Sequence, residues 1–145
     1  MPIQQMLLGV GASEKTYVDD VFSTYLYTGN DTAGRAINNG LNLSERGGLV
    51  WVKTRNDTTD HNLLDTVRGA NKFIKANEDD AEGTMGNRIT AFNSNGFTVG
   101  ASGDVNGSSA YNYTSWSFCK QKGFFDVVTF TQASGTPTNQ RVAHS

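Results

Sequence analysis

The amino-acid sequence predicts an all-β fold, an antiparallel sandwich or barrel, and two observations carry that expectation. Glycine is abundant (16 of 145 residues) and proline scarce (2), while Asn, Thr and Ser crowd the stretches between apolar runs. That mixture suits tight turns, where Gly and Asn adopt positive φ, and suits helix interiors badly. Second, short runs rich in β-branched and aromatic residues recur at roughly ten-residue spacing, with turn residues between them. Cys119 is the only cysteine, so no intrachain disulfide is possible and the fold must rely on packing.

Taken in order, Val21 to Thr28 reads as the first strand, ending at the turn Gly29-Asn-Asp31. Gly34 to Leu43 follows as a short strand with a turn signal at Asn38-Asn-Gly40. Gly48 to Lys53 is the strongest strand, and its unbroken apolar run predicts burial on both faces. The segment His61 to Ala76 admits one helical face or two short strands. Gly69 and Asn71 in its middle favour the strands. Asn77 to Asn87 is acidic and glycine-containing, an exposed loop. Arg88 to Phe92 and Gly96 to Gly100 form a hairpin across Asn93-Ser-Asn-Gly96. Along Tyr111 to Cys119 the large apolar side chains change face midway, which suggests a bulge. Gly123 to Thr131 reads as a last strand.

The division of the chain follows. Residues 1–20 form an extended N-terminal arm, 21–124 the sandwich, and 125–145 the start of a second, incomplete repeat or a C-terminal extension. The arm carries Ile3, Met6, Leu7, Leu8 and Val10, an apolar run too short to span a membrane and without the basic start of a secretory signal. Such a run is expected to pack on another subunit. The repeat rests on Phe22 to Thr28 matching Phe125 to Thr131 in pattern, and Arg35-Ala-Ile-Asn38 matching Arg141-Val-Ala-His144.

Three stretches carry a family resemblance. They are Gly47-Gly-Leu-Val-Trp-Val-Lys53, Asp60-His-Asn-Leu-Leu-Asp-Thr-Val-Arg-Gly69 and Phe92-Asn-Ser-Asn-Gly-Phe-Thr-Val-Gly100. With Asn106, Trp116-Ser-Phe118 and the opening Met1-Pro-Ile-Gln-Gln-Met-Leu-Leu-Gly9, the chain resembles modules of structural proteins from marine bacteriophages. The resemblance implies a concanavalin-like (jelly-roll-like) sandwich, often repeated in tandem, in tail fibres or other virion appendages. It supplies no catalytic residue.

The chemistry of the residues points the same way. A net charge of −2 gives no general attraction to phosphate backbones, so nucleic acid is not an expected partner. Only His61 and His144 could serve a nucleophile as base, and His61 sits in a polar loop. No zinc spacing and no phosphate cradle is present. Glu78-Asp-Asp80 with Glu82, and Asp57, Asp60 and Asp65, are the only oxygen-rich stretches, and neither has the EF-hand spacing for calcium. Catalytic, cofactor and metal sites are therefore expected to be none. Sugar contact is the remaining site chemistry, with Tyr111, Asn112 and Tyr113 beside Asn106 as its candidate set. The expected partners are other virion proteins of tail or capsid and further copies of the chain, a trimer being the usual symmetry of a fibre. A host-surface glycan comes after these.

Overall fold

The computed structural model describes residues 15–132, 134–135 and 141–144. The arm residues Ile3, Met6, Leu7, Leu8 and Val10 lie outside them. Nine strands form two antiparallel sheets: β1 (Phe22–Thr28), β2 (Arg35–Asn38), β3 (Gly48–Thr54), β4 (Asn62–Asp65), β5 (Lys72–Lys75), β6 (Gly83–Thr84), β7 (Ile89–Asn93), β8 (Gly96–Val99) and β9 (Asn112–Cys119). The large sheet runs β1-β9-β3-β4-β5-β6 and the small one β2-β8-β7. The all-β antiparallel expectation holds.

One core lies between the sheets. The large sheet contributes Tyr27, Val50, Val52, Leu64, Phe73, Tyr113 and Cys119 to it, and the small sheet Ile37, Ile89, Phe97 and Val99. A polar tie crosses the same space where Asn39 Nδ2 donates to Ser117 Oγ at 2.8 Å. Gly96 shows why the β7–β8 turn needs glycine. Its φ is +138°, and a Cβ there would stand 2.0 Å from the Ile37 carbonyl oxygen of β2.

Several expectations are corrected. The run Gly48 to Lys53 is not buried on both faces. Gly48, Val50, Val52 and Thr54 are buried, while Leu49, Trp51 and Lys53 are only half-covered on the far side. No bulge interrupts β9, which keeps an unbroken register with β1 and β3. The irregularity sits in β7 instead, between Ile89 and Ala91. The expected strand from Gly34 to Leu43 is shorter, because Asn42 caps a single helical turn, α1 (Leu43–Arg46), by accepting the Glu45 N–H at 3.2 Å. A second turn, α2 (Gly103–Asn106), begins at Ser102 and buries Val105 and Asn106. The expected last strand does not form. Gln121 and Phe125 make an isolated bridge, and the segment that follows lies outside both sheets. His61 to Ala76 resolves into β4 and β5 rather than a helix, as Gly69 and Asn71 suggested, with φ of +99° and +75° at those two residues.

Candidate functional site

The residues proposed for sugar contact come together, but as an internal brace. Tyr113 points inward from β9 with no exposed surface. Its hydroxyl donates to the Gly103 carbonyl at 2.7 Å and accepts the Gly107 N–H at 2.8 Å. Its ring stacks on Tyr27 at 5.2 Å between centroids, and the Tyr27 hydroxyl donates to the Val105 carbonyl at 2.7 Å. Burial pushes both phenols above their ordinary range. Asn106 is also fully buried. Its amide donates to the Thr32 and Gly100 carbonyls at 3.0 and 3.1 Å, and its Oδ1 accepts from the Asn30 N–H and Arg35 Nη1 at 3.1 and 3.3 Å. Every hydrogen-bonding position of that side chain is satisfied within the fold. Tyr111 packs half-buried against the core. Asn112 accepts from Thr28 Oγ1 at 3.0 Å and donates its N–H to Asn56 Oδ1 at 2.8 Å. A sugar needs an exposed ring, and the central ring and amide of this set expose none. The set ties α2 and its flanking loop to β1 and β9.

The acidic stretches are engaged in the same way. Lys75 pairs with Asp60 at 3.0 Å and Asp80 at 2.9 Å, and Lys72 pairs with Glu82 at 2.8 Å. The Asn77 hydrogen bond and then Lys75 hold Asp60 below its usual carboxylate value, and Lys72 does the same for Glu82. Asp65 Oδ1 accepts the N–H groups of Val67 and Arg68 at 3.0 and 2.8 Å, while its other oxygen pairs with Arg68 Nε. Among the described residues no three His, Cys, Asp or Glu side chains are grouped to hold a metal ion. Cys119 is buried, which raises its thiol. His61 is a partner of the large sheet rather than a free surface group, since its Nδ1 accepts the Trp51 indole N–H at 3.0 Å.

The outer face of the large sheet carries an apolar band. Cross-strand partners share a face, so the register defines the outer set. Trp51 lies opposite Trp116 with ring centroids 5.5 Å apart, and Leu49 lies opposite Phe118. Phe118 contacts Phe22 at 5.0 Å and Phe125 at 5.1 Å. Leu63 continues the band beside Trp51, and Ile74 lies beside Leu63. The band thus crosses five strands, from Phe22 on β1 to Ile74 on β5 (40% exposed), while Leu26, on the same face of β1 and 58% exposed, lies beyond it opposite Thr114. Sequence reasoning missed this face. Its signals were the side chains that change face along β9 and the unbroken apolar run of β3, both marks of a strand apolar on two sides.

Residues 18–144 match the family described as Domain of unknown function (DUF7483). The chain belongs to that family. The match includes all nine strands, the outer aromatic band and the Tyr27–Tyr113 brace, so these are parts of a single family unit. No curated protein and no solved structure matches the chain. Among the described residues no helix is long and apolar enough to cross a membrane.

Proposed function

We propose that this chain is a structural, non-enzymatic module of a bacteriophage virion, the particle-proximal part of a tail fibre or similar appendage. Its N-terminal arm, with Ile3, Met6, Leu7, Leu8 and Val10, is the docking element, and the sandwich is a rigid spacer made of several copies. A capsid decoration or head-fibre protein is the same reading at another place on the particle. The resemblance of the sequence to phage structural modules motivates it. The observation that carries it is where the polar and aromatic groups sit. Tyr113 and Asn106 brace the interior, Asp60, Asp80 and Glu82 pair with lysines, and the outer face of the large sheet carries an apolar band that reaches an open strand edge. Those are surfaces for assembly with protein. The rival, a carbohydrate-binding module, expects Tyr111 and Tyr113 exposed in a concave patch, and Tyr113 is in the core.

The test is incorporation into particles. Quantitative mass spectrometry of purified particles should find the full chain in a fixed, repeating copy number. A variant lacking residues 1–10 should fold and stay out of them. Absence of the full chain from particles contradicts the reading, and normal incorporation of the truncated chain contradicts the docking role of the arm.

A further inference from the structure

We infer that β1 is the surface through which two copies of this chain pair, edge to edge and antiparallel, into one continuous sheet. The inference rests on the edge itself and stands whether or not the chain belongs to a particle.

An open strand edge exposes unpaired N–H and C=O groups, and proteins guard such edges with short strands, charges, prolines or bulges. Three of the four edges here are guarded. β6 has two residues, β7 carries its register irregularity, and β2 has four residues and begins with Arg35. The edge of β1 has none of these protections. Its seven residues, Phe-Ser-Thr-Tyr-Leu-Tyr-Thr, contain no charge and no proline, and its pairing to β9 is unbroken.

The ladder shows which groups are free. The Val21 carbonyl accepts the Cys119 N–H at 2.7 Å, and the Gly29 N–H donates to the Tyr111 carbonyl at 2.9 Å. By the alternation of an antiparallel ladder, the odd-numbered residues of β1 face β9. Phe22, Thr24 and Leu26 therefore turn their N–H and C=O groups to the open side. Among the described residues no backbone group bonds them there. Thr28 ends the open stretch, because Arg35 Nη1 donates to its carbonyl at 2.5 Å.

Side chains and charge select the occupant. An antiparallel pair centred on Thr24 uses all the free groups and places Phe22 beside the partner's Leu26. Leu26 is 58% exposed in the single chain, and this pairing would continue the outer apolar band from one copy into the next. Asp19 and Asp20 precede β1, and Arg35 holds its far end. Antiparallel pairing sets the acidic end of each copy against the Arg35 end of the other, whereas parallel pairing sets like against like. The apolar run from Ile3 to Val10, which has no charged side chain, would satisfy the main chain as an added strand but leave those charges unmatched.

The experiment is sedimentation velocity on the full chain at micromolar concentration, with Leu26→Lys and Thr24→Cys beside the wild type. The wild type should sediment at twice the 15.7 kDa chain mass. Leu26→Lys should run at the single-chain mass while keeping the wild-type unfolding transition by tryptophan fluorescence. Directly paired residues in such a ladder lie about 5.5 Å apart at Cα with their side chains on one face, within reach of a short bis-maleimide. Treated with that reagent, Thr24→Cys should therefore give a covalent dimer, with buried Cys119 taking no part. This cross-link decides the matter should Leu26→Lys fail to fold. A single-chain mass for the wild type overturns the inference. So does a dimer that neither Leu26→Lys dissociates nor Thr24→Cys cross-links, or one lost only on deletion of residues 1–14, which would make the arm the occupant.

Discussion

The two edges of the large sheet are built on opposite principles. At one, β5 and β6 end the sheet with four residues and then two, surrounded by Lys72, Lys75, Asp60, Asp80 and Glu82 in mutual ion pairs. The ring of Phe73 fills the gap beneath, with the Arg88 guanidinium 3.6 Å from its centroid. Gly83 lies so close on β6 that a Cβ would stand 2.3 Å from the Phe73 ring. At the other edge, β1 is long, neutral and regular, and Tyr27 pins it from inside. A sheet closed by charge and brevity on one side and left open on the other has one edge at which a second copy can pair. That polarity joins the fold to the proposed structural role.

The comparison can be broken most severely at its anchor. Tyr27→Ala removes the ring stacked on Tyr113 and the hydrogen bond to Val105. Truncation of a buried aromatic of this kind costs about 3–5 kcal/mol. Urea unfolding followed by tryptophan fluorescence should show that loss. The guarded edge gives the next effect. Gly83→Ala forces the Phe73 ring against Arg88 and should cost about 1–3 kcal/mol, the range for overpacking. A change below this would mean that β6 is only loosely applied to the sheet.

Acid sharpens the contrast without a mutation. Asp60 and Glu82 have folded values below their ordinary 3.8 and 4.5. Each therefore contributes stability that is present above the ordinary value and lost as pH falls through the lowered one. Amide hydrogen exchange should show β5 and β6 losing protection first as pH drops below about 4.5, with β1 retaining its own. Glu82 is exposed and Asp60 partly so, so the effect is small and should weaken in salt. The smallest effect belongs to Ile74→Thr on the outer face, expected within about 0.5 kcal/mol because the side chain is already 40% exposed.

The fold was legible where one local signal decided the structure. Asn93 to Gly96 is a hairpin turn because Gly96 meets the backbone of β2, and Gly69 with Asn71 divides β4 from β5 by positive φ. It was illegible where tertiary packing outweighed local pattern. Gly123 to Thr131 has the composition of a strand, yet Phe125 stacks on Phe118 outside both sheets. The candidate site failed for a related reason. Tyr111-Asn-Tyr113 beside Asn106 has the composition of a sugar site, and only the fold reveals that Tyr113 and Asn106 face inward. Trp51 and Trp116 are far apart in sequence and meet only through the β3–β9 register. The open edge of β1 is a property of strand order, which no local pattern encodes.

Cryo-electron microscopy of assembled particles is the most direct test of both the docking and the pairing. Density is expected for this two-sheet fold at a repeating position on the particle, with β1 continued by the β1 of another copy and the arm seated in a neighbouring virion protein. Particles without this fold, or copies whose β1 edge faces solvent, would contradict that expectation.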